Sequence, residues 1–202
     1  FLISTGNPGH WLTPFLLPIP AAQVLHTLVA DRARWQRPVL PVLLSRLSEK
    51  HQLLTVSQFA ARQIESHWKR AVPFIHNPTS YPDAPFIPHG PYSKRILTAA
   101  HVIDYRNPFL WLNVAQRVCA KHPDAVFDWH GSGPLLDTMR MRAKGLPRVR
   151  FHGTSEDMQG AYANAAIYFQ PSLLENHSLA VLEAMSYGLP CVVSDRGGLP
   201  ES

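Results

Sequence analysis

The residues best suited to chemistry in this 202-residue chain lie in the run Pro171-Ser172-Leu173-Leu174-Glu175-Asn176-His177-Ser178-Leu179-Ala180-Val181-Leu182-Glu183-Ala184-Met185, where seven residues separate two glutamates. Glu175 falls in the loop at the carboxyl end of a predicted strand, Ile167 to Phe169. Glu183 lies about two turns into a predicted helix from Asn176 to Tyr187. A helix starting near Asn176 leaves the N–H groups of His177, Ser178 and Leu179 without intrahelical partners, and together with the helix dipole they favour an anion such as a diphosphate. A carboxylate beside them can accept hydrogen bonds from sugar hydroxyls, and a second can take both hydroxyls of a ribose. On spacing alone a structural role fits better, with one carboxylate complementing the helix dipole and the other an ordinary helix-surface glutamate.

The elements that must hold these residues alternate regularly after residue 95. Strand Ile96 to Ala100 precedes Asn107-Pro108, an N-cap followed by proline at the first helical position, which opens a helix to about Lys121. Strand Ala125 to Trp129 runs into the turn Gly131-Ser132-Gly133-Pro134 and a helix that stops at Gly145. Strand Val149 to Phe151, a helix from Ser155 to Asn164, strand Ile167 to Phe169, the Asn176 helix and strand Cys191 to Ser194 complete the series. Five strands with four intervening helices predict an α/β fold with a parallel sheet covered on both faces, whose ligands bind at the carboxyl ends of the strands.

Upstream the pattern is coarser. An apolar start at Phe1 to Ser4, a strand near Gln23 to Leu28, a helix from Pro38 to about His51, strand Leu53 to Val56, a helix capped by Ser57 and strand Val72 to Ile75 are predicted. Asn77 to Pro91 holds Pro78, Pro82, Pro85, Pro88 and Pro91 and reads as an extended linker between domains.

Composition narrows the function classes. Hydrophobic residues make up 46% and charged residues only 16%, which excludes disorder and calls for a sizeable core. The 19 prolines break any clean membrane span, and the most apolar stretch, Phe15 to Ala30, carries Pro18, Pro20, Gln23 and His26. Cys119 and Cys191 are the only cysteines, so no disulfide framework or cysteine zinc site is possible, and with no secretory pattern at the start a cytoplasmic setting is expected. Lys plus Arg number 19 against 14 Asp plus Glu, a formal charge of +5 spread along the chain, which does not point to nucleic acid. The densest basic run, Arg140, Arg142, Lys144, Arg148 and Arg150, reads first as a solvated face. Its second reading is attraction to an anionic substrate or to anionic lipid, hence peripheral contact with the inner face of the plasma membrane.

Absences discriminate further. Eleven histidines show no His-x-x-x-His or His-x-x-Glu-His arrangement, and no Asp-x-Asp pair occurs, so no metal site is expected. The turn at Gly131 has Leu136 where a dinucleotide fingerprint needs its third glycine, which argues against a dehydrogenase.

The run from Gly131 to Glu201 resembles the donor half of glycosyltransferase family 4, retaining enzymes of the GT-B fold that use nucleotide-diphosphate sugars. The resemblance rests on Gly131-Ser132-Gly133-Pro134, Val149-Arg150-Phe151-His152-Gly153, Pro171-Ser172, the paired Glu175 and Glu183, Glu183-Ala184-Met185-Ser186-Tyr187-Gly188-Leu189-Pro190, and Ser194-Asp195-Arg196-Gly197-Gly198-Leu199-Pro200-Glu201. Thr55-Val56-Ser57-Gln58-Phe59 and Ile75-His76-Asn77-Pro78 look like the end of the family's acceptor domain.

The resemblance implies two Rossmann-like domains: residues 1–76 as the end of the acceptor domain, 77–94 as linker, and 95–202 as the donor domain. Because the chain starts at Phe1 and ends in a turn-like run, both domains are expected to be truncated. It assigns Glu175 to the donor sugar and Glu183 to the nucleotide ribose. His101 and Arg106 fall where an arginine and a lysine, respectively, normally neutralise the diphosphate, beside the amides of His177, Ser178 and Leu179. Gly131 and Gly133 line the cleft, and His26 sits where an acceptor-side histidine is often found, although Thr27 replaces the usual aspartate. His101 is the departure, since a neutral imidazole brings one donor and no charge. The remaining histidines, His67 and His130 among them, read as structural. The implied activity is hexose transfer from a nucleotide-sugar donor to a glycan or lipid-linked acceptor, with no cofactor and no metal. A nucleotide-sugar epimerase of the same fold, or a homologue that only binds nucleotide sugar, are the rival readings.

Overall fold

A computed structural model of the chain describes residues 2–5, 21–25, 51–69, 71–79 and 93–202. It forms two compact units: Phe1–Asn77 with Glu175–His177 and Gly197–Glu201, and Pro78–Leu174 with Ser178–Arg196 and Ser202.

In the first unit, β1 (Leu2–Thr5), β2 (Ala21–Leu25) and β3 (His51–Thr55) form a parallel sheet in that order. Helix α1 (Gln58–Trp68) follows, and Ser57 caps it as predicted, its Oγ accepting the Ala60 N–H at 3.1 Å. Leu53, Val56, Ala60, Ile64 and Val72 are buried. The predicted strand Val72 to Ile75 shrinks to one bridge between Phe74 and Thr55, because Pro73 has no N–H to extend a ladder. The predicted helix from Pro38 lies outside the described residues up to His51, which instead opens β3. Residues 80–92 of the predicted linker also lie outside them.

The second unit bears out the alternation. Strands β4 (Arg95–Ala99), β5 (Val126–His130), β6 (Val149–Gly153), β7 (Ile167–Gln170) and β8 (Cys191–Val193) form a parallel sheet in the order β6-β5-β4-β7-β8. Helices α2 (Pro108–Lys121), α3 (Leu136–Arg142), α4 (Met158–Ala163) and α5 (Leu179–Ser186) connect them in turn. Pro108 opens α2 as expected, although Asn107 takes a left-handed conformation and its side chain makes no capping bond. Helix α4 is shorter than predicted, because the Asp157 side chain accepts the Gly160 N–H at 2.7 Å and sets the start there.

Strand alternation sends β5 side chains to opposite faces. Phe127 and Trp129 enter a core with Trp111, Met139 and Phe151, with Trp111 set edge-on to Phe127, Trp129 and Phe151 at centroid distances of 5.0–5.5 Å. Both buried indoles are satisfied: Trp111 Nε1 donates to Thr98 Oγ1 at 2.7 Å, and Trp129 Nε1 to the Ala100 carbonyl at 2.8 Å. Asp128 alternates away from that core and is 5% exposed, its carboxylate held by Arg95 Nη1 at 2.6 Å and His152 Nε2 at 2.7 Å. His130 stacks on His152 at 4.4 Å. No helix among the described residues is long and apolar enough to cross a membrane.

Candidate functional site

In the second unit the loops after β4 and β5 meet backbone to backbone at the carboxyl ends of their strands. The Val102 N–H donates to the Ser132 carbonyl at 2.9 Å, and the Leu135 N–H to the Val102 carbonyl at 3.0 Å. A Cβ at Gly131 would stand 2.0 Å from the Ala100 oxygen, and one at Gly133 2.5 Å from the Val102 oxygen, so only glycine permits this approach. These two glycines thus seat the loop that carries His101 and Arg106. His101 is exposed, with Nδ1 3.2 Å from the Ser132 carbonyl, which fixes Nδ1–H as a donor. Its other nitrogen is an acceptor in the neutral ring and a donor in the imidazolium, and only the imidazolium suits a phosphate oxygen.

Arg106 ends the short 3-10 turn Asp104–Arg106, with its guanidinium carbon 5.2 Å from the Tyr105 ring centroid. The turn is tied to the loop after β7 by the Leu173 N–H, which donates to the Tyr105 carbonyl at 2.7 Å. Burial pulls the Arg106 guanidinium below its ordinary pKa, against the opposing influence of Tyr105 and Tyr168. A cation partly withdrawn from water in this way gains from the arrival of an anion.

Beyond β7 a buried polar chain decides where α5 begins. The Tyr168 hydroxyl donates to Gln170 Oε1 at 2.8 Å, Gln170 Nε2 reaches Ser172 Oγ at 3.2 Å, and Ser178 Oγ donates to the same Gln170 oxygen at 3.2 Å. Ser178 Oγ also accepts the Val181 N–H at 3.4 Å, which makes Ser178 the N-cap. The helix therefore opens at Leu179, three residues later than the predicted Asn176. Of the three amides expected at its start, only that of Leu179 lies in the first turn, joined there by Ala180. The Ser178 N–H faces Ser202 Oγ at 3.4 Å. Glu183, about one turn in, is exposed, and its Oε2 receives the Tyr162 hydroxyl at 2.9 Å.

Glu175 and His177 belong to the first unit. The Glu175 carbonyl accepts the Gly198 N–H at 2.8 Å, so the Gly197-Gly198 turn lies directly on the Glu175 backbone. His177 is 6% exposed and structural: Nδ1 accepts the Asn77 N–H at 3.3 Å, Nε2 donates to the Glu201 carbonyl at 3.1 Å, and the ring stacks on His76 at 4.6 Å. Burial lowers its pKa below the ordinary histidine value, with His76 acting in the same direction. The Glu201 carboxylate accepts the N–H groups of Gln58 at 2.6 Å and Phe59 at 2.7 Å, and His76 Nε2 lies 3.2 Å away. It therefore satisfies first-turn donors of α1 that Ser57 leaves over.

His26 lies outside the described residues. Tyr162 has no role in the family resemblance, and Glu201 enters it only as the end of a motif. Tyr162, five residues before β7, carries no local signal, because its partner is 21 positions away. Among the described residues, no group of three or more His, Cys, Asp or Glu side chains is arranged to hold a metal ion.

A family model described as "Glycosyl transferases group 1" matches residues 93–202. The chain is 37% identical over 92 residues to sulfoquinovosyl transferase SQD2 of Arabidopsis thaliana, a match covering 45% of this chain and 18% of that protein. It is 30% identical over 135 residues to one polypeptide of the human phosphatidylinositol N-acetylglucosaminyltransferase, covering 64% of this chain and 28% of that one. The matches thus span less than a third of the length of these relatives. HepE of Anabaena, solved in complex with UDP and glucose, superposes with a TM-score of 0.81 at 16% identity, over 98% of this chain and 60% of the HepE chain. That likeness is one of fold, α/β with parallel Rossmann-like sheets of the GT-B type.

Proposed function

Because the chain belongs to the group 1 glycosyl transferases, we propose that it moves a hexose from a nucleoside-diphosphate sugar to a glycan or lipid-linked acceptor, with retention at the anomeric carbon and without a divalent cation. The observation that carries this reading is that the family match spans the whole five-stranded sheet and takes in both Glu175 and Glu183. The names of the relatives favour it: SQD2 and the human protein are named as transferases of a sugar, the latter with phosphatidylinositol, and HepE holds UDP with glucose.

In this reading Glu183 accepts the ribose hydroxyls and Glu175 faces the transferred sugar. Charge developing on the departing diphosphate is met by Arg106, by the amides of Leu179 and Ala180, and by His101, a preorganised set of donors that costs no rearrangement during reaction. His26 serves the acceptor side. A lipid-linked acceptor would bring the protein to a membrane surface. Arg140 is spent internally there, with Nε on the Phe151 carbonyl and Nη2 on the His152 carbonyl, so Arg142, Lys144, Arg148 and Arg150 are the residues suited to anionic lipid.

The test is incubation with a panel of nucleotide sugars and candidate acceptors. Release of nucleoside diphosphate together with an extended acceptor supports the proposal, whereas an epimerised sugar or binding without turnover refutes it. The glutamates separate the roles. Glu183→Gln should weaken nucleotide binding by about 1–3 kcal/mol, the scale for hydrogen bonds to a charged group. Glu175→Gln should keep nucleotide affinity while kcat falls, the pattern of a contact that matters most in the transition state. Equal loss of nucleotide affinity in both variants would refute the assignment.

A further inference from the structure

We infer that Tyr162 is a positioning residue of the nucleotide site, whose hydroxyl holds the Glu183 carboxylate in the orientation that receives the ribose; this rests on the ribose role proposed above for Glu183. The Tyr162 hydroxyl has one proton and two acceptors within reach, Glu183 Oε2 at 2.9 Å and the Ala180 carbonyl at 3.4 Å. The carboxylate is both nearer and charged, so it accepts the hydrogen bond. The phenol is itself fixed. Its ring is 3% exposed, stacks on Tyr187 at 5.3 Å and 20°, and packs against Tyr168 at 6.2 Å. Burial, reinforced by Tyr168 and Glu183, raises the pKa of the phenol, which keeps it a donor.

Glu183 has the opposite character. It stands on the exposed side of α5, and a glutamate there has three rotatable bonds with which to leave any one pose. A bond from a rigid neighbour to one oxygen restrains the whole planar group. It still leaves the second oxygen and a further lone pair for two hydroxyls, because an ionised carboxylate has about four acceptor sites. The aromatic clamp around Tyr162 therefore transmits its rigidity to a carboxylate that α5 alone does not fix.

Calorimetry with UDP and its 2′,3′-dideoxy analogue separates positioning from packing, because phenylalanine keeps the ring between its neighbours and removes only the hydroxyl. For the parent protein, UDP should bind more tightly than the dideoxy nucleotide. Tyr162→Phe should weaken UDP about 5- to 10-fold, the scale of one net intramolecular hydrogen bond, and leave the dideoxy affinity unchanged. Adding Tyr162→Phe to Glu183→Gln should cost less than it costs in the parent. If Tyr162→Phe weakens both nucleotides equally, or neither, while Glu183→Gln selectively weakens UDP, the positioning role is overturned and the ribose role stands. If Glu183→Gln does not discriminate between the nucleotides, the ribose role fails and this inference with it. Should the phenylalanine variant not fold, 3-fluorotyrosine at 162 keeps size and hydroxyl but makes a stronger donor. A change confined to UDP then supports the inference, and no change overturns it.

Discussion

Replacing Gly198 with alanine would show whether Glu175 acts through the position of its backbone. A Cβ at Gly198 would lie 1.6 Å from the Asn176 oxygen, 2.6 Å from its carbonyl carbon and 3.1 Å from Ser57 Oγ. Gly198 does not have a left-handed φ, so the perturbation is the collision alone. To restore a contact of 3.0 Å the Glu175–Asn176 segment must retreat by about 1.4 Å, and a misplacement of about 1 Å in a reacting group can cost roughly 100-fold in rate. We therefore expect kcat to fall about 100-fold, or about 2.7 kcal/mol in the barrier, beside an overpacking cost of about 1–3 kcal/mol in stability. Nucleotide affinity should hold to within about twofold if Glu183 accepts the ribose hydroxyls as proposed, since its side chain is untouched. Steady-state kinetics paired with calorimetry of UDP binding is the assay. Gly145→Ala is the control: it has φ +90° and nothing within 4 Å of an added Cβ, so it should cost about 1–2 kcal/mol of stability and leave kcat alone. Parental turnover in Gly198→Ala, or losses of turnover and nucleotide affinity of equal size, would refute the reasoning.

Three further outcomes are expected. Activity should survive a chelator, measured as product formed with and without added magnesium or manganese, and a loss rescued by metal would reject the cationic and amide account of the diphosphate site. His130 and His177 both have pKa values lowered chiefly by burial. The unfolded chain therefore takes up protons that the folded chain refuses, so stability is full above the ordinary histidine pKa near 6.5 and falls as the pH drops through it; a melting temperature flat between about pH 7.5 and 5.5 would contradict this. Asp128→Ala should cost about 1–3 kcal/mol in a denaturant melt, because Arg95 and His152, at 45% and 35% side-chain exposure, can turn to water once their acceptor is gone. A larger loss for Arg95→Ala, which leaves the 5% exposed carboxylate with His152 alone, would fit the same account.

Local chemistry determined a good deal of this protein. The alternation of apolar runs and turn residues after residue 95 specified five strands and their crossovers, and Ser57 and Pro108 marked two helix starts. In each case the determining partners lie within a few residues, where periodicity and capping act. The start of α5 is different. Ser178 caps it because its hydroxyl is anchored on Gln170, eight positions back in a buried chain that also takes in Tyr168, and no helix propensity around Asn176 carries that information. The same holds for Glu201, whose carboxylate satisfies amides 142 and 143 positions away, and for Tyr162, which reaches Glu183 across 21. It holds too for Asp128, a charge in the middle of a strand whose burial is tolerable only because Arg95 and His152 converge on it. Buried donors and acceptors must be paired wherever the chain can supply a partner, so the sequence by itself determined which elements form, while the tertiary structure alone decided which polar groups complete one another.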